Sequence, residues 1–131
     1  MMAAKVLEDE VVPVGLVSVG DHRNEVVLVG RLGAAAQTRE MSSGDVVVSW
    51  RIVVTRPQQA QRADGTPTRS VDSLDCVAWR KAVCRSVLAW QAGDTIEVTG
   101  ALHKRFWRTD RGSTSRTEVE VVRARRIAKA R

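Results

Sequence analysis

The run Val71-Asp72-Ser73-Leu74-Asp75-Cys76-Val77-Ala78-Trp79 is followed by Arg80 and Lys81, a short stretch to Gln91, and then Gly93-Asp94-Thr95-Ile96-Glu97-Val98-Thr99-Gly100-Ala101-Leu102. Alternation with a period of two predicts a strand from Val71 to Trp79. Leu74, Cys76 and Ala78 point one way, and Ser73, Asp75, Val77 and Trp79 the other. From Lys81 the period changes: Val83, Val87 and Trp90 recur at spacings of four and three, which predicts a short helix that Gly93 stops. Thr95 to Leu102 alternates again and predicts the next strand.

Toward the N-terminus, Val46 to Thr55 is the strictest alternation in the chain. Val46, Val48, Trp50, Ile52 and Val54 share one face, and Val47, Ser49, Arg51 and Val53 the other, so Trp50 belongs with the core. Arg39 to Asp45 reads as a strand end and a turn broken at Ser43-Gly44. Asn24 to Leu32 is an apolar strand in which Gly30 and Gly33 allow a bend or a close backbone approach. Arg56 to Ser70 is a polar loop carrying Arg56, Arg62 and Arg69; it is either a flap over a bound strand or a hairpin tip. Met1 to His22 is an N-terminal extension. Its Val11 to Val19 segment is an added edge strand or an arm on a neighbouring subunit, with Pro13 and Gly15 arguing against a central strand. Toward the C-terminus, a turn at Asp110-Arg111-Gly112-Ser113 leads to a fifth strand, Thr117 to Ala124, and residues 125–131 form a short basic end.

Three strands, one helix and two strands in this order predict an all-β domain with one short helix. That is the layout of an OB-fold, a five-stranded Greek-key barrel, here over residues 23–124.

The chain has 131 residues, of which 44% are hydrophobic, enough for one ordinary core. No apolar run approaches the roughly 18 residues of a membrane span, and the acidic Glu8-Asp9-Glu10 interrupts any secretory signal. No membrane association is expected, and the location is cytoplasmic, with the nucleoid. Cys76 and Cys84 have neither a disulfide framework nor a metal-ligand spacing, and are read as reduced, buried thiols. Neither they nor His22 and His103 sit in a catalytic motif, so no enzyme activity, cofactor or metal is expected.

Charge is distributed unevenly. The chain carries a net +6, from 21 Lys/Arg and 15 Asp/Glu; residues 101–131 hold ten of the basic and three of the acidic groups, +7, leaving eleven and twelve, −1, in residues 1–100. An excess confined to one quarter points to a polyanion partner. Aromatics fall among these cations: Trp79 precedes Arg80 and Lys81, while Phe106 and Trp107 lie between Lys104, Arg105 and Arg108. Rings beside cations suit unpaired nucleic acid, because a ring stacks on any base while the cation neutralises the adjoining phosphate.

Four segments, in order, resemble the bacterial single-stranded DNA-binding proteins: Asn24 to Gly33, Cys76 to Lys81, Gly93 to Leu102, and Lys104 to Trp107 with Asp110-Arg111-Gly112. The resemblance implies an OB-fold that assembles as a homotetramer and binds single-stranded DNA in replication, recombination and repair. It implies stacking roles for Trp79 and Trp107 and phosphate contacts for Arg39, Lys81 and Arg105. With Arg51, Arg56, Lys104, Phe106 and Arg108 these make up the expected DNA-binding set. If about five of the cations touch phosphates, the log–log salt slope is near −3.5. The family's frequent aromatic at the position of Ser73 is missing, and the pair often found after the strand-three lysine appears as Val83-Cys84. The family's flexible linker and acidic C-terminal tip are also missing, since the sequence ends Ile127-Ala128-Lys129-Ala130-Arg131. The expectation is a tail-less paralogue that does not recruit partners through that tip. The alternative is an OB-fold module for RNA or an accessory subunit for a protein surface, since a fold does not fix function.

Overall fold

Alternating β-branched residues become pleated sheet across most of the chain. The computed structural model describes residues 18–56, 63–65 and 70–131. In chain order the elements are β1 (Ser18–Val19), β2 (His22–Arg23), β3 (Val26–Leu32), β4 (Gln37–Glu40), β5 (Val46–Thr55), β6 (Val71–Ala78), a helix α1 (Lys81–Leu88), β7 (Thr95–Thr109) and β8 (Gly112–Ala128). The segments read from sequence at Met1 to Val17, and Arg62 and Arg69 of the polar loop, lie outside the described residues.

β1 and β2 form a small separate hairpin. The remaining strands run in the order β3-β7-β8-β6-β5-β4, and β3 also pairs with β5 through Arg31 to Val53 and Leu32 to Ile52. That second pairing closes the sheet into a barrel of β3, β7, β8, β6 and β5, with β4 added on the edge of β5. The pairing of β6 with β8 is parallel, and every other is antiparallel. This is the OB topology predicted from the strand–helix–strand order.

The core forms on the faces that the alternation marked, except that Val46 and Leu74, expected inside, are exposed and Val47, expected outside, is buried. Leu32, Val48, Trp50, Ile52, Cys76, Ala78, Ile96, Val98, Val119 and Val121 fill the barrel. Trp50 is only 5% exposed. α1 adds Val83, Cys84 and Val87 from one stripe, and Trp90 packs against the same cluster from just beyond the helix. Gly93, at φ 92°, turns the chain into β7. Its N–H donates to the Leu32 carbonyl, 2.8 Å, while the Leu32 N–H donates to the Asp94 carbonyl, 2.8 Å.

Two strands are longer than predicted. β7 continues past Leu102 to Thr109, and β8 starts at Gly112 and continues past Ala124 to Ala128. Beyond Leu102 the two leave the barrel as a projecting arm, paired from His103–Glu118 to Thr109–Gly112 around an Asp110-Arg111 tip. At the root of this arm the Asn24 amide completes β7's open edge. Its Nδ2 donates to the Leu102 carbonyl, 2.7 Å, and its Oδ1 accepts from the Leu102 N–H, 2.9 Å.

Asp94 closes the end of the barrel. Its buried carboxylate accepts from the N–H of Gln91, 2.9 Å, and of Ala130, 2.7 Å, with Arg126 Nη1 at 3.5 Å. Those two main-chain donors, ahead of the opposing effect of burial and the smaller help of Arg126, hold the carboxyl below the usual carboxylate range. A depressed folded value means that the stabilisation is complete above the unfolded pKa of about 3.8 and is lost as pH falls through the folded one. The melting temperature of Asp94→Asn is therefore expected to fall less steeply than that of the parent protein below pH 4, with parallel profiles between pH 5 and 7; parallel profiles throughout would remove Asp94 from the acid limb.

Barrel closure brings backbones into contact at two glycines. A methyl group on Gly30 would strike the Val53 carbonyl, and one on Gly100 the Glu120 carbonyl and the Val121 Cα. Main chain cannot step aside there as a side chain can. At Gly33 the nearest atom would be the Val53 Cγ2 at 3.3 Å. Gly100→Ala is expected to destabilise by about 1–3 kcal/mol or more, and Gly33→Ala by less. Urea unfolding of the two variants checks the order.

Candidate nucleic-acid interface

β5 and β6 pair in register from Val48–Ala78 to Thr55–Val71, so their outward residues lie side by side on the barrel wall. That wall is flanked by β4 and by the root of the β7–β8 arm, which leaves a groove of about 710 Å³. Its cations are Arg39, Arg51, Arg105 and Arg116, and its carboxylates Asp75 and Glu118. Counting these six groups alone, the groove carries four positive and two negative charges, a balance of +2. A smaller hollow of about 310 Å³ at Glu97, Thr99, Arg123, Ala124 and Arg125 contains no aromatic, and an ion pair of 2.7 Å between Arg125 and Glu97 spans it.

The carboxylates are set against the arginines. Arg51 stands opposite Asp75 in the ladder, and its Nε donates to Oδ1 at 3.1 Å. The other oxygen of Asp75 lies 3.9 Å from Arg116 Nε. Arg105 Nε sits 3.7 Å from the buried Glu118 Oε1, and it has no hydrogen-bond partner among the described residues. The Arg105 guanidinium instead lies 5.1 Å from the centroid of the Trp107 ring. Charge and a ring face, rather than a directed hydrogen bond, hold this side chain, so it can re-aim toward an incoming phosphate.

Trp107 shares its side of the arm with Arg105 because the two are separated by one residue on a strand. It is 39% exposed. Trp79 follows the last residue of β6 and by alternation shares the face of Asp75 and Val77; it is 43% exposed. Two half-exposed indoles, one against the groove's Arg105 and one on the face of Asp75 and Val77, are a surface for stacking bases.

The expected site residues do not all gather here. Arg39, Arg51 and Arg105 line the groove, whereas Trp79 and Trp107 lie outside its lining, Trp79 just past β6 on the face of Asp75 and Val77 and Trp107 against Arg105. Arg56 is paired with Asp72, Nη2 to Oδ1 at 3.0 Å and Nε to the same oxygen at 3.2 Å, and does not line the groove. Lys81 opens α1, exposed and outside the groove lining. Lys104, Phe106 and Arg108 alternate with Arg105 and Trp107 and so occupy the other side of the arm. Sequence reading missed Arg116, which pairs directly with Arg105. Folding the chain about the predicted turn at Asp110 to Ser113 brings the two together, so the signal was present. It missed Asp75 and Glu118 as partners of the arginines, which only strand register reveals.

Neither cysteine is an activated thiol. Burial, then the neighbouring Asp75 and Glu118, push the Cys76 thiol up to about 12. The Cys84 thiol is raised, chiefly by burial, and donates to the Ala78 carbonyl at 3.3 Å. Both are poor nucleophiles near neutral pH. Among the described residues no group of three or more His, Cys, Asp or Glu could hold a metal ion, and no helix is long and apolar enough to cross a membrane.

Comparison with known proteins bears on the fold and on the family. The fold is similar to a chain in the Plasmodium falciparum SSB complex with ssDNA, with a TM-score of 0.66 at 19% identity, over 82% of this chain and 96% of that one. In sequence the chain is 31% identical over 91 residues to a single-stranded DNA-binding protein of Oceanobacillus iheyensis, covering 70% of this chain and 54% of that protein. It is 32% identical over 89 residues to one of Enterococcus faecalis, covering 68% and 45%. The chain thus spans about half the length of these curated relatives. Residues 23–127 match the model of the single-strand binding protein family. With that match over most of its length, the chain belongs to the single-strand binding protein family.

Proposed function

We propose that this chain binds and protects single-stranded DNA without sequence preference, in replication, recombination or repair. The observation that carries the reading is the arginine-lined groove, with the half-exposed Trp107 ring against its Arg105 and the half-exposed Trp79 on the face of Asp75 and Val77. Family membership and the names of the relatives support it. Stacking on the indoles supplies about 1–3 kcal/mol per base and tolerates any sequence, while the arginines neutralise phosphates. Duplex DNA hides its base faces and is the poorer ligand. We propose no enzymatic step. Self-assembly, as a homotetramer, is supported by the exposed Val27 and Val29 on the outer face of β3.

The internal carboxylates change the electrostatics. Arg51 and Arg116 already face Asp75, and Arg105 already faces Glu118. A phosphate entering the groove displaces a protein carboxylate as well as solvent ions, so fewer counterions are released than the number of arginines implies. The salt slope is therefore shallower than the −3.5 expected for about five unpaired contacts.

Two measurements test this reading. By anisotropy of a labelled oligo-dT, Trp107→Ala and Trp79→Ala are each expected to weaken binding by about 1–3 kcal/mol, with duplex and oligo-U as controls. Unchanged affinity in both would end the stacking assignment. Asp75→Asn, which releases Arg51 and Arg116, is expected to tighten binding and to steepen the salt slope by about 0.7–1.4. A slope equal to the parent's would show that these arginines never reach a phosphate.

A further inference from the structure

Ahead of the barrel the chain carries Glu8-Asp9-Glu10, three consecutive carboxylates with Lys5 as the only cation in residues 1–17. The fold brings the chain that follows them back toward the groove. β1 pairs with β2 so that Ser18 stands across from Arg23. The next residue, Asn24, is held to Leu102 at the root of the arm by hydrogen bonds of 2.7 and 2.9 Å. Arg105 follows three residues along β7, about 10 Å away. At ordinary strand spacings, the path from Ser18 through Asn24 and Leu102 to Arg105 is about 25 Å. Ser18 comes eight positions after Glu10, and an extended chain of that length reaches about 26–29 Å. The acidic run therefore reaches the groove of its own protomer.

Charge is complementary at the two ends of that path. The groove sets four arginines against two carboxylates, a balance of +2. Arg105 Nε is buried, 3.7 Å from Glu118, and has no hydrogen-bond partner among the described residues. Arg116 Nε is 3.9 Å from Asp75, beyond hydrogen-bond length. The internal carboxylates thus hold these guanidiniums by charge and leave room for further acceptor oxygens. A carboxylate presents the same kind of acceptor as a phosphate. In an extended chain Glu8 and Glu10 share one face about 7 Å apart, so the run offers a repeated negative charge as a strand backbone does.

We propose that the Glu8-Asp9-Glu10 segment occupies the arginine groove when no nucleic acid is bound and is displaced when a single strand enters. The occupant is the protein's own chain, and it acts as an intrachain competitor that raises the threshold for binding. This inference rests on the reading that the groove takes single strands. Long strands with many phosphates displace the segment, whereas short ones compete poorly. Added salt weakens the contact and removes the competition.

The test compares the full chain with its triple variant Glu8→Gln, Asp9→Asn, Glu10→Gln; none of the three belongs to the barrel core. Without nucleic acid, the Arg105 Nε–Hε resonance is expected to shift between the two proteins, and acrylamide, a neutral quencher, to reach the tryptophans more readily in the variant. With labelled oligo-dT the variant is expected to bind at least about fivefold more tightly at about 50 mM salt and equally at about 0.5 M, where screening is nearly complete. Tighter binding with both nucleic-acid-free readouts unchanged reflects net charge alone and overturns the docked segment. Equal affinity at low salt, with those readouts unchanged, overturns it as well. If both readouts change but neither protein binds oligo-dT, the segment docks and the single-strand reading of the groove falls. A resonance difference that disappears on dilution assigns the segment to a neighbouring copy and overturns the intrachain contact.

Discussion

Everything distinctive about this molecule depends on the antiparallel pairing of β7 with β8. The ladder runs from Thr95–Ala128 to Thr109–Gly112, with register shifts between Thr95 and Ile96 and between Thr99 and Gly100. Its lower half is barrel wall and its upper half stands free. Inside the barrel one face of each strand is committed to the core, as Ile96, Val98, Val119 and Val121 show. Beyond Leu102 no apolar core remains to claim a face, and apart from the buried Glu118 both sides of the ladder become surface. The shift at Gly100 falls where the glycine lets the two backbones touch. An antiparallel ladder satisfies its own hydrogen bonds, which is why the arm can project without a layer beneath it.

The barrel was legible in the sequence because its strands obey a period that burial enforces. Trp50 and Cys76 could be placed inside from parity alone, and the change of period at Lys81 located the helix. The arm was not legible, for the complementary reason. From Lys104 to Arg108 cations and rings occupy both parities, so no apolar period marks a strand, and the segment read only as a cluster of binding residues. Parity would have divided that cluster had the segment been recognised as extended. The closing β3–β5 pair and the opposition of Arg51 to Asp75 are long-range registers, and no local pattern encodes them.

The carboxylates in the groove set a balance between readiness and affinity. Asp75 and Glu118 hold arginines that would otherwise repel one another across a narrow floor, as Arg105 and Arg116 would from directly paired positions. They thereby keep the unliganded groove ordered at some cost in attraction for a polyanion. A groove of this kind favours exchange over retention.

The placement of the four indoles also fixes what light can report about this molecule. Trp50 is sealed in the barrel and Trp90 packs on its core, while Trp79 and Trp107 meet solvent. Intrinsic emission is therefore the sum of a shielded population and an accessible one, although Trp50, shielded from solvent, borders the groove and senses a ligand there as well. A titration that extinguishes part of the signal and then levels off reports full occupancy, because the residual glow comes from indoles shielded from solvent.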